Sequence, residues 1–207
     1  MGIGNGCRFP FCFYLELKMV LFKKKTPLDY VLYTAIILGG IIIDQISKFL
    51  IFYFMEIGDT LPIIKDFLHI TYRTNPGMAF GMMGETNQRW VFIVFSTVAI
   101  IAFGIYLYLG HAENKLYAVS IGLVVSGGIG NMIDRVGLGF YKNSEGMGEV
   151  IDFIDFRGIW GAVFNVADSF VCVGAGLLIL ACVIDIIKEE KAKKADSKEA
   201  EDDSQSE

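Results

Sequence analysis

A carboxylate-rich segment, residues 149–170, places acids where the chain is about to enter a membrane. Asp168 lies near the start of an apolar run, 163–187, that is long enough to span a bilayer. An ionised side chain there costs roughly 3 kcal/mol or more unless it is paired or used. Asp152 and Asp155 precede it in a segment too short and polar to span, so we expect them at the surface of the same membrane. These acids are the first candidates for chemistry.

Other polar residues recur in the apolar part of the chain at spacings of three or four, so that the members of each set share one helix face. The sets are Asp44 with Lys48, Asn131 with Asp134 and Arg135, and Asn165 with Asp168. At about 1.5 Å per residue, each set lies toward the outer end of its predicted helix. We therefore expect polar groups from three helices at a similar depth.

Two carboxyl groups held together in a low-dielectric site cannot both ionise, so they share a proton. One can then activate water as a general base while the other protonates the leaving group, which is the chemistry of an aspartic peptidase. This chemistry needs no metal and no cofactor. From the residues alone, either Asp134 or Asp152 can partner Asp168. Arg135 would hold the adjacent Asp134 ionised, whereas Asp152 has no adjacent base and is freer to carry the shared proton.

The same residues also have a purely structural interpretation. Asp44 with Lys48, and Asp134 with Arg135 or another acid, could be ion pairs that neutralise one another where polar helix ends pack. The glycines that precede Asn131 are typical of close helix approach in membranes. A structural role and a chemical role are both open for these sets.

Other classes of protein are also open at this point. A small transporter or proton-linked channel would use intramembrane acids to bind cations, but the sequence shows no internal repeat and no polar stripe through its second apolar run. A non-catalytic scaffold predicts that the acids tolerate substitution. His69 and His111 fall in loops on opposite sides of the membrane, which argues against a histidine-based metal site or a Ser/His mechanism.

The composition is that of a membrane protein. Of 207 residues, 54% are hydrophobic and 17 are Phe, and the mean hydropathy is +0.50. The net charge of −5 comes mostly from the acidic C-terminal end and does not indicate a nucleic-acid partner. The predicted fold class is mainly α, a polytopic membrane protein with four transmembrane helices and a small extracytoplasmic β element between helices 1 and 2. That β element is predicted at 67–74, which is rich in β-branched and aromatic residues.

Four apolar runs predict the spanning helices, at about 30–54, 90–109, 116–133 and 163–187. Lysines precede the first run and follow the last, so the positive-inside rule places both termini in the cytoplasm. The outer loops are then 55–89 and 136–161. The predicted organisation is an N-terminal extension at 1–22, a membrane domain at 23–187 and a disordered cytoplasmic tail at 188–207.

Five short motifs occur in order along these elements: DQISK (44–48), NPGMAFG (75–81), GGIGNMIDR (127–135), VIDF (150–153) and FNVAD (164–168). Together they resemble the motif series of lipoprotein signal peptidase, also called signal peptidase II. The resemblance implies a bacterial inner-membrane aspartic peptidase that removes the signal peptide from prolipoproteins, cutting just before a cysteine that carries diacylglycerol. It further implies an extracytoplasmic active site, prolipoprotein and membrane-lipid partners, and a monomer.

By this resemblance, Asp152 and Asp168 are the catalytic pair, and no metal or cofactor takes part. The implied supporting or substrate-binding residues are Asp44, Lys48, Asn75, Gly77, Gly128, Asn131, Asp134, Arg135, Asn165 and Ala167. The connection 136–149 is longer and richer in glycine than is usual for the family. Because hinged loops often gate active sites, this connection is predicted to be a lid.

Overall fold

The computed structural model of the protein describes residues 26–77, 88–109 and 115–205. Its helices are α1 (Pro27–Phe54), α2 (Gln88–Tyr108), α3 (Lys115–Arg135) and α4 (Val166–Gln205). Each contains a segment long and apolar enough to cross a membrane, the segment of α4 being Val166–Lys188. The prediction of a mainly α membrane protein with four spans is confirmed. The predicted extension at 1–22 and its following lysines, the end of the NPGMAFG motif and His111 lie outside the described residues.

The first helix has a well-defined N-terminus. The Thr26 side chain accepts a hydrogen bond from the Asp29 backbone N–H, and the Asp29 carboxylate accepts one from the Thr26 N–H. Pro27 occupies the first helical turn, where its missing N–H costs nothing. This capping box fixes where α1 begins, and with it the depth of Asp44 and Lys48 farther along the helix.

The third helix is the centre of the bundle, because α3 packs against each of the other three helices. Half of its spanning window is buried, against 17% or less for the other spans. Small residues on α3 make the close approach possible. A Cβ at Gly127 would overlap the backbone carbonyl of Ala167 in α4, and one at Gly130 would overlap the carboxylate of Asp44 in α1. These glycines therefore bring the polar sets of three helices together.

Four strands form one antiparallel sheet in the order β1 (Thr60–Ile64), β2 (Leu68–Asn75), β3 (Val150–Phe156) and β4 (Val163–Phe164). The sequence predicted a β element only between helices 1 and 2. The structure adds β3 and β4 from the connection between α3 and α4. In the β2–β3 register Arg73 pairs with Asp152. Because β2 ends at Asn75, this pairing places Asp152 near the Asn75 end of β2.

A small apolar core packs this sheet against the end of α1. Tyr72, Ile151 and Phe153 are buried together, and Ile51 and Met55 at the end of α1 pack against them. Because residues alternate between the two faces of a strand, the apolar neighbours of Asp152 in β3 anchor the sheet while Asp152 itself points away from them. The packing of Ile151 and Phe153 thus fixes the direction of the Asp152 carboxyl.

The connection 136–149 has a compact conformation of its own. The Asn143 side chain accepts hydrogen bonds from two N–H groups of the same turn and donates one to Glu149. The Phe140 ring contacts the rings of Phe49 and Phe52 on α1, with centroid distances of 5.4 and 6.3 Å. These contacts are those of a loop packed on α1, so they do not add support to the lid prediction.

The end of the chain differs from its prediction. The sequence predicted a disordered tail from residue 188, whereas the structure continues α4 as a helix to Gln205. Residues 188–205 are rich in Ala, Lys and Glu, which have high helix propensity. An amphipathic face is not required for such a segment when it extends an existing helix, because the costly nucleation step has already been made.

Candidate active site

Asp168 lies in the first turn of α4, and its side chain is held by that helix terminus. The Asn165 side-chain oxygen accepts a hydrogen bond from the Asp168 N–H at 2.9 Å, and the Asp168 carboxylate accepts one from the Asn165 N–H at 3.1 Å. This reciprocal pair is a capping box in which Asp takes the place of the usual Glu. The cap therefore fixes the direction of the Asp168 carboxyl group at the start of α4.

Asp152 reaches the same place from the sheet. Its two carboxyl oxygens accept hydrogen bonds from the side-chain amides of Asn75, at 3.0 Å, and Asn165, at 2.7 Å. Asn165 therefore contacts both Asp152 and Asp168, through its side chain and its backbone N–H respectively. The structure brings these two acids of the 149–170 segment to one site.

Asn131 on α3 is the third asparagine whose side-chain amide bonds to the acids, after Asn75 and Asn165. Its side-chain N–H group donates to Asp168 at 2.8 Å, while its side-chain oxygen accepts from Asn165 at 3.1 Å and from the Lys48 ammonium at 2.9 Å. An ammonium can only donate, so Lys48 fixes which end of the Asn131 amide faces it. The donor end of Asn131 is thereby directed at Asp168.

Beneath the amides lies a buried charge cluster of Asp44, Lys48 and Asp134. The Lys48 ammonium contacts Asp44 at 2.8 Å and Asp134 at 2.6 Å, and Asp44 and Lys48 have no exposed surface. The sequence assigned Arg135 as the cation that holds Asp134 ionised, and the structure places Lys48 against that carboxylate. The reason is geometric, because adjacent helix residues point about 100° apart, whereas α1 faces Asp134 directly.

The charge cluster is also connected to the helix that carries Asp168. The backbone N–H of Ala167, in the first turn of α4, donates to Asp44 at 2.9 Å. Gln45 adds contacts that the sequence reading missed, donating to Asp44 at 3.1 Å and to the Gly130 carbonyl at 3.2 Å. The one feature of the sequence that could have indicated a role for Gln45 was its position directly after Asp44 in the DQISK motif. These bonds fix the positions of α1, α3 and α4 relative to one another along the bundle axis.

The environment of Asp152 changes its titration. Burial raises the pKa of this carboxyl from 3.8 to about 7, with the charge of nearby Asp168 as the second cause. The hydrogen bonds from Asn75 and Asn165 act in the opposite direction, since they stabilise the ionised form. Near neutral pH the Asp152 carboxyl therefore holds a proton in a substantial fraction of molecules.

An open cavity of about 280 Å³ lies beside Asp168, and we call it the polar cavity. Arg135 and Asn75 line it together with Gly77, whose backbone N–H bonds to the Asn75 side chain at 2.9 Å. Gly77 has φ of +109°, a conformation that favours glycine, so its identity is explained by the turn. The Arg135 guanidinium lies 5.9 Å from the centre of the Phe92 ring. A cation and an amide side chain thus face the space next to Asp168.

Three residues singled out from the sequence have positions apart from the acid pair. Gly128 faces Ile100 on α2, where it serves packing. Asp155, expected like Asp152 at the membrane surface, is largely buried and bonded to Thr71 and Arg157. His69 is buried within β2. Among residues 26–77, 88–109 and 115–205, no group of three His, Cys, Asp or Glu side chains is arranged to hold a metal ion.

Four apolar helices with two amide-linked acids beside an open cavity define a polytopic membrane protein suited to acid-base hydrolysis. The family model Peptidase_A8, described as Signal peptidase (SPase) II, matches residues 36–184. The lipoprotein signal peptidase of Caldanaerobacter subterraneus subsp. tengcongensis is 45% identical over 139 residues, covering 67% of this chain and 86% of that protein. That of Halothermothrix orenii is 41% identical over 145 residues, covering 70% and 90%.

A solved structure of a bacterial membrane enzyme is similar to this fold, with a TM-score of 0.63 and 32% identity, covering 74% of this chain and 88% of that one. The chain belongs to the signal peptidase II family. It is therefore a membrane protease, and the resemblance seen in the five sequence motifs is confirmed.

Proposed function

We propose that this protein removes signal peptides from diacylglyceryl-modified prolipoproteins, cutting just before the lipidated cysteine, with Asp152 and Asp168 as its catalytic residues. The observation that carries the proposal is the pair of bonds from Asn165, which tie both acids to one residue. Membership of the signal peptidase II family supports the same substrate class. The buried charge cluster and the amides of Asn75 and Asn131 position the acids.

In the proposed reaction, ionised Asp168 takes a proton from a water molecule as that water attacks the scissile carbonyl carbon. Protonated Asp152 gives its proton to the nitrogen of the leaving cysteine as the C–N bond breaks. The products are a signal peptide with a new carboxyl group and a lipoprotein with a free amino terminus. Proton transfer from Asp168 back to Asp152 restores the starting state. The raised pKa of Asp152 supports the assignment of this residue as the acid.

We place the site at the extracytoplasmic face of a bacterial inner membrane, with both termini in the cytoplasm. The support is the lysine flanks of the first and last spans, combined with the even number of spanning helices. Asp152 lies in the sheet and Asp168 in the adjacent end of α4, so both sit at one end of the bundle. A substrate whose acyl chains stay in the bilayer can reach that end laterally.

The dependence of cleavage on pH should report Asp152. Its proton is needed for catalysis in this proposal, so kcat/KM should fall as pH rises through about 7. Asn75 donates to Asp152 and lowers its pKa, so removal of that donor in Asn75→Ala should move the alkaline limb to higher pH. The measurement is the pH profile of kcat/KM for wild type and Asn75→Ala. An alkaline limb that stays in place in the variant would count against Asp152 as the acid.

The substrate class is tested with one precursor in two forms, with and without its diacylglyceryl group. Purified wild-type protein in detergent should cut only the lipidated form, and mass spectrometry of the product should show the modified cysteine as the new amino terminus. Equal cutting of both forms would remove the lipid requirement from the proposal. No cutting by a folded preparation would overturn the proposed function as a whole.

A further inference from the structure

A second cavity of about 320 Å³ also lies beside Asp168, and we call it the apolar groove. Its walls include Phe156, Ile159, Trp160 and Phe164 from the β3–β4 hairpin, and Cys172 one turn after Asp168 on α4. Its lining is almost entirely hydrocarbon and ring carbon, whereas the polar cavity combines a mainly apolar wall with the Arg135 guanidinium and the Asn75 amide. The two spaces differ in the chemistry that each can accept.

The hairpin turn gives the groove a defined wall. The backbone N–H groups of Ile159 and Trp160 both bond to the carbonyl of Phe156. The Phe164 ring packs against those of Phe156 and Trp160, with centroid distances of 6.5 and 6.3 Å. The turn and these ring contacts therefore hold the apolar side chains of the groove wall in fixed directions.

The outer wall of the groove is exposed although it is strongly apolar. Ile159 has 65% and Trp160 54% of its surface accessible. Tryptophan is favoured at the boundary between lipid and water, where its ring lies in apolar surroundings and its N–H stays near polar groups. The hairpin leads directly into α4, and Ser169 and Cys172 in the first turns of that helix also line the groove.

The apolar groove and the polar cavity meet at Phe164, Asp168 and Cys172, which line both. A bond that is cut beside Asp168 thus lies where a space that carries a guanidinium and an amide meets one that is almost wholly apolar. We propose that the apolar groove holds an acyl chain of the diacylglyceryl cysteine, while the peptide occupies the polar cavity. This inference rests on the proposed function and adds to it the location of the lipid.

The groove positions the acyl chain and contributes little to substrate affinity. An acyl chain in the bilayer is already in an apolar medium, so its transfer into the groove changes its contact with water very little. Held in the groove, however, the chain fixes the cysteine to which it is attached and so places the adjacent peptide bond at Asp168. Loss of the groove should therefore reduce turnover of long-chain substrates more than their binding.

The test compares precursors whose cysteine carries two long acyl chains or two very short ones. Wild type should cut the long-chain form faster, by roughly tenfold or more, because only that chain fills the groove. Trp160→Ala should bring this ratio close to one, mainly by lowering kcat on the long-chain precursor. Trp90→Ala is the matched control, since Trp90 is a similarly exposed tryptophan, 65% accessible, that lies on α2 and does not line the groove.

Activity of Trp160→Ala on the short-chain precursor shows that the variant is folded. A precursor with a photoreactive group at the end of one acyl chain gives a second readout that needs no mutation, and its crosslinks should map to 156–172. A wild-type chain-length ratio retained in Trp160→Ala, or crosslinks confined to α1 and α3, would overturn the groove assignment while leaving the peptidase intact. Failure of wild type on both precursors would instead remove the proposed function.

Discussion

Asp152→Asn and Asp168→Asn are each expected to abolish cleavage of a lipidated precursor, with losses of roughly a thousandfold or more. Asparagine has nearly the same shape as aspartate, so each variant can fill the same space and keep several of the same neighbours. It cannot accept a proton from water at position 168 or give one to the leaving nitrogen at position 152. The measurement is single-turnover cleavage by purified variants in detergent.

Asp155→Asn provides the control for these variants. Asp155 lies three residues from Asp152 on β3, and its carboxylate bonds to Thr71 and Arg157 instead of to the amides around the acid pair. This variant should keep cleavage within about threefold of wild type, because the bonds of Asp155 do not involve the acid pair and an ion pair with a half-exposed Arg157 contributes little. Turnover retained in Asp152→Asn or Asp168→Asn by a preparation free of wild type would eliminate the acid pair as the catalytic centre.

Lys48→Met is expected to have the largest effect on stability of any single substitution in the bundle. The ammonium is fully buried and bonds to Asp44, Asn131 and Asp134. Its removal leaves two buried carboxylates without their cation, which costs roughly 3–5 kcal/mol. Cleavage should fall as well, because the Asn131 side-chain oxygen loses its bond from the ammonium and keeps only the one from Asn165, which weakens the hold on its amide against Asp168. Thermal unfolding in detergent and cleavage are measured on the same samples.

A second substitution separates the charge effect from the orientation effect. Lys48→Met combined with Asp134→Asn removes one of the uncompensated acids and should recover part of the lost stability without restoring cleavage. Lys188→Met is the matched control, because Lys188 is 68% exposed and pairs with Asp185 at the surface. That control should change stability by less than about 1 kcal/mol. Normal unfolding of Lys48→Met would show that the buried cluster is not needed to hold the helices.

Local spacing in the sequence was sufficient to predict the helical part of the site. The i, i+3 spacing of Asn165 and Asp168 and the i, i+4 spacing of Asp44 and Lys48 place each pair on one helix face, and in the structure each pair is in contact. The depth at which these pairs meet followed from the length of the apolar runs. Periodicity within one element carries such information because the helix geometry is fixed.

Contacts between elements were harder to predict because no local pattern encodes them. The strand that carries Asp152 is only seven residues long and gains its place by pairing with β2, which precedes it by more than seventy residues. The pairing of Lys48 with Asp134 joins α1 to α3, and the neighbour Arg135 was the more obvious partner along the chain. The helical conformation of 188–205 was missed because a charged segment without an apolar face also fits disorder.

In the proposed mechanism, Asp152 holds the catalytic proton beside ionised Asp168. Difference infrared spectroscopy of wild type and Asp152→Asn, from about pH 5 to about pH 9, detects this proton directly. Cleavage is measured on the same samples. We expect a protonated carboxyl signal in wild type that is missing in the variant. In wild type this signal should disappear as the pH rises through about 7, and cleavage should fall over the same pH range. A signal absent across this range, or one that titrates while cleavage stays constant, would contradict the proposed mechanism.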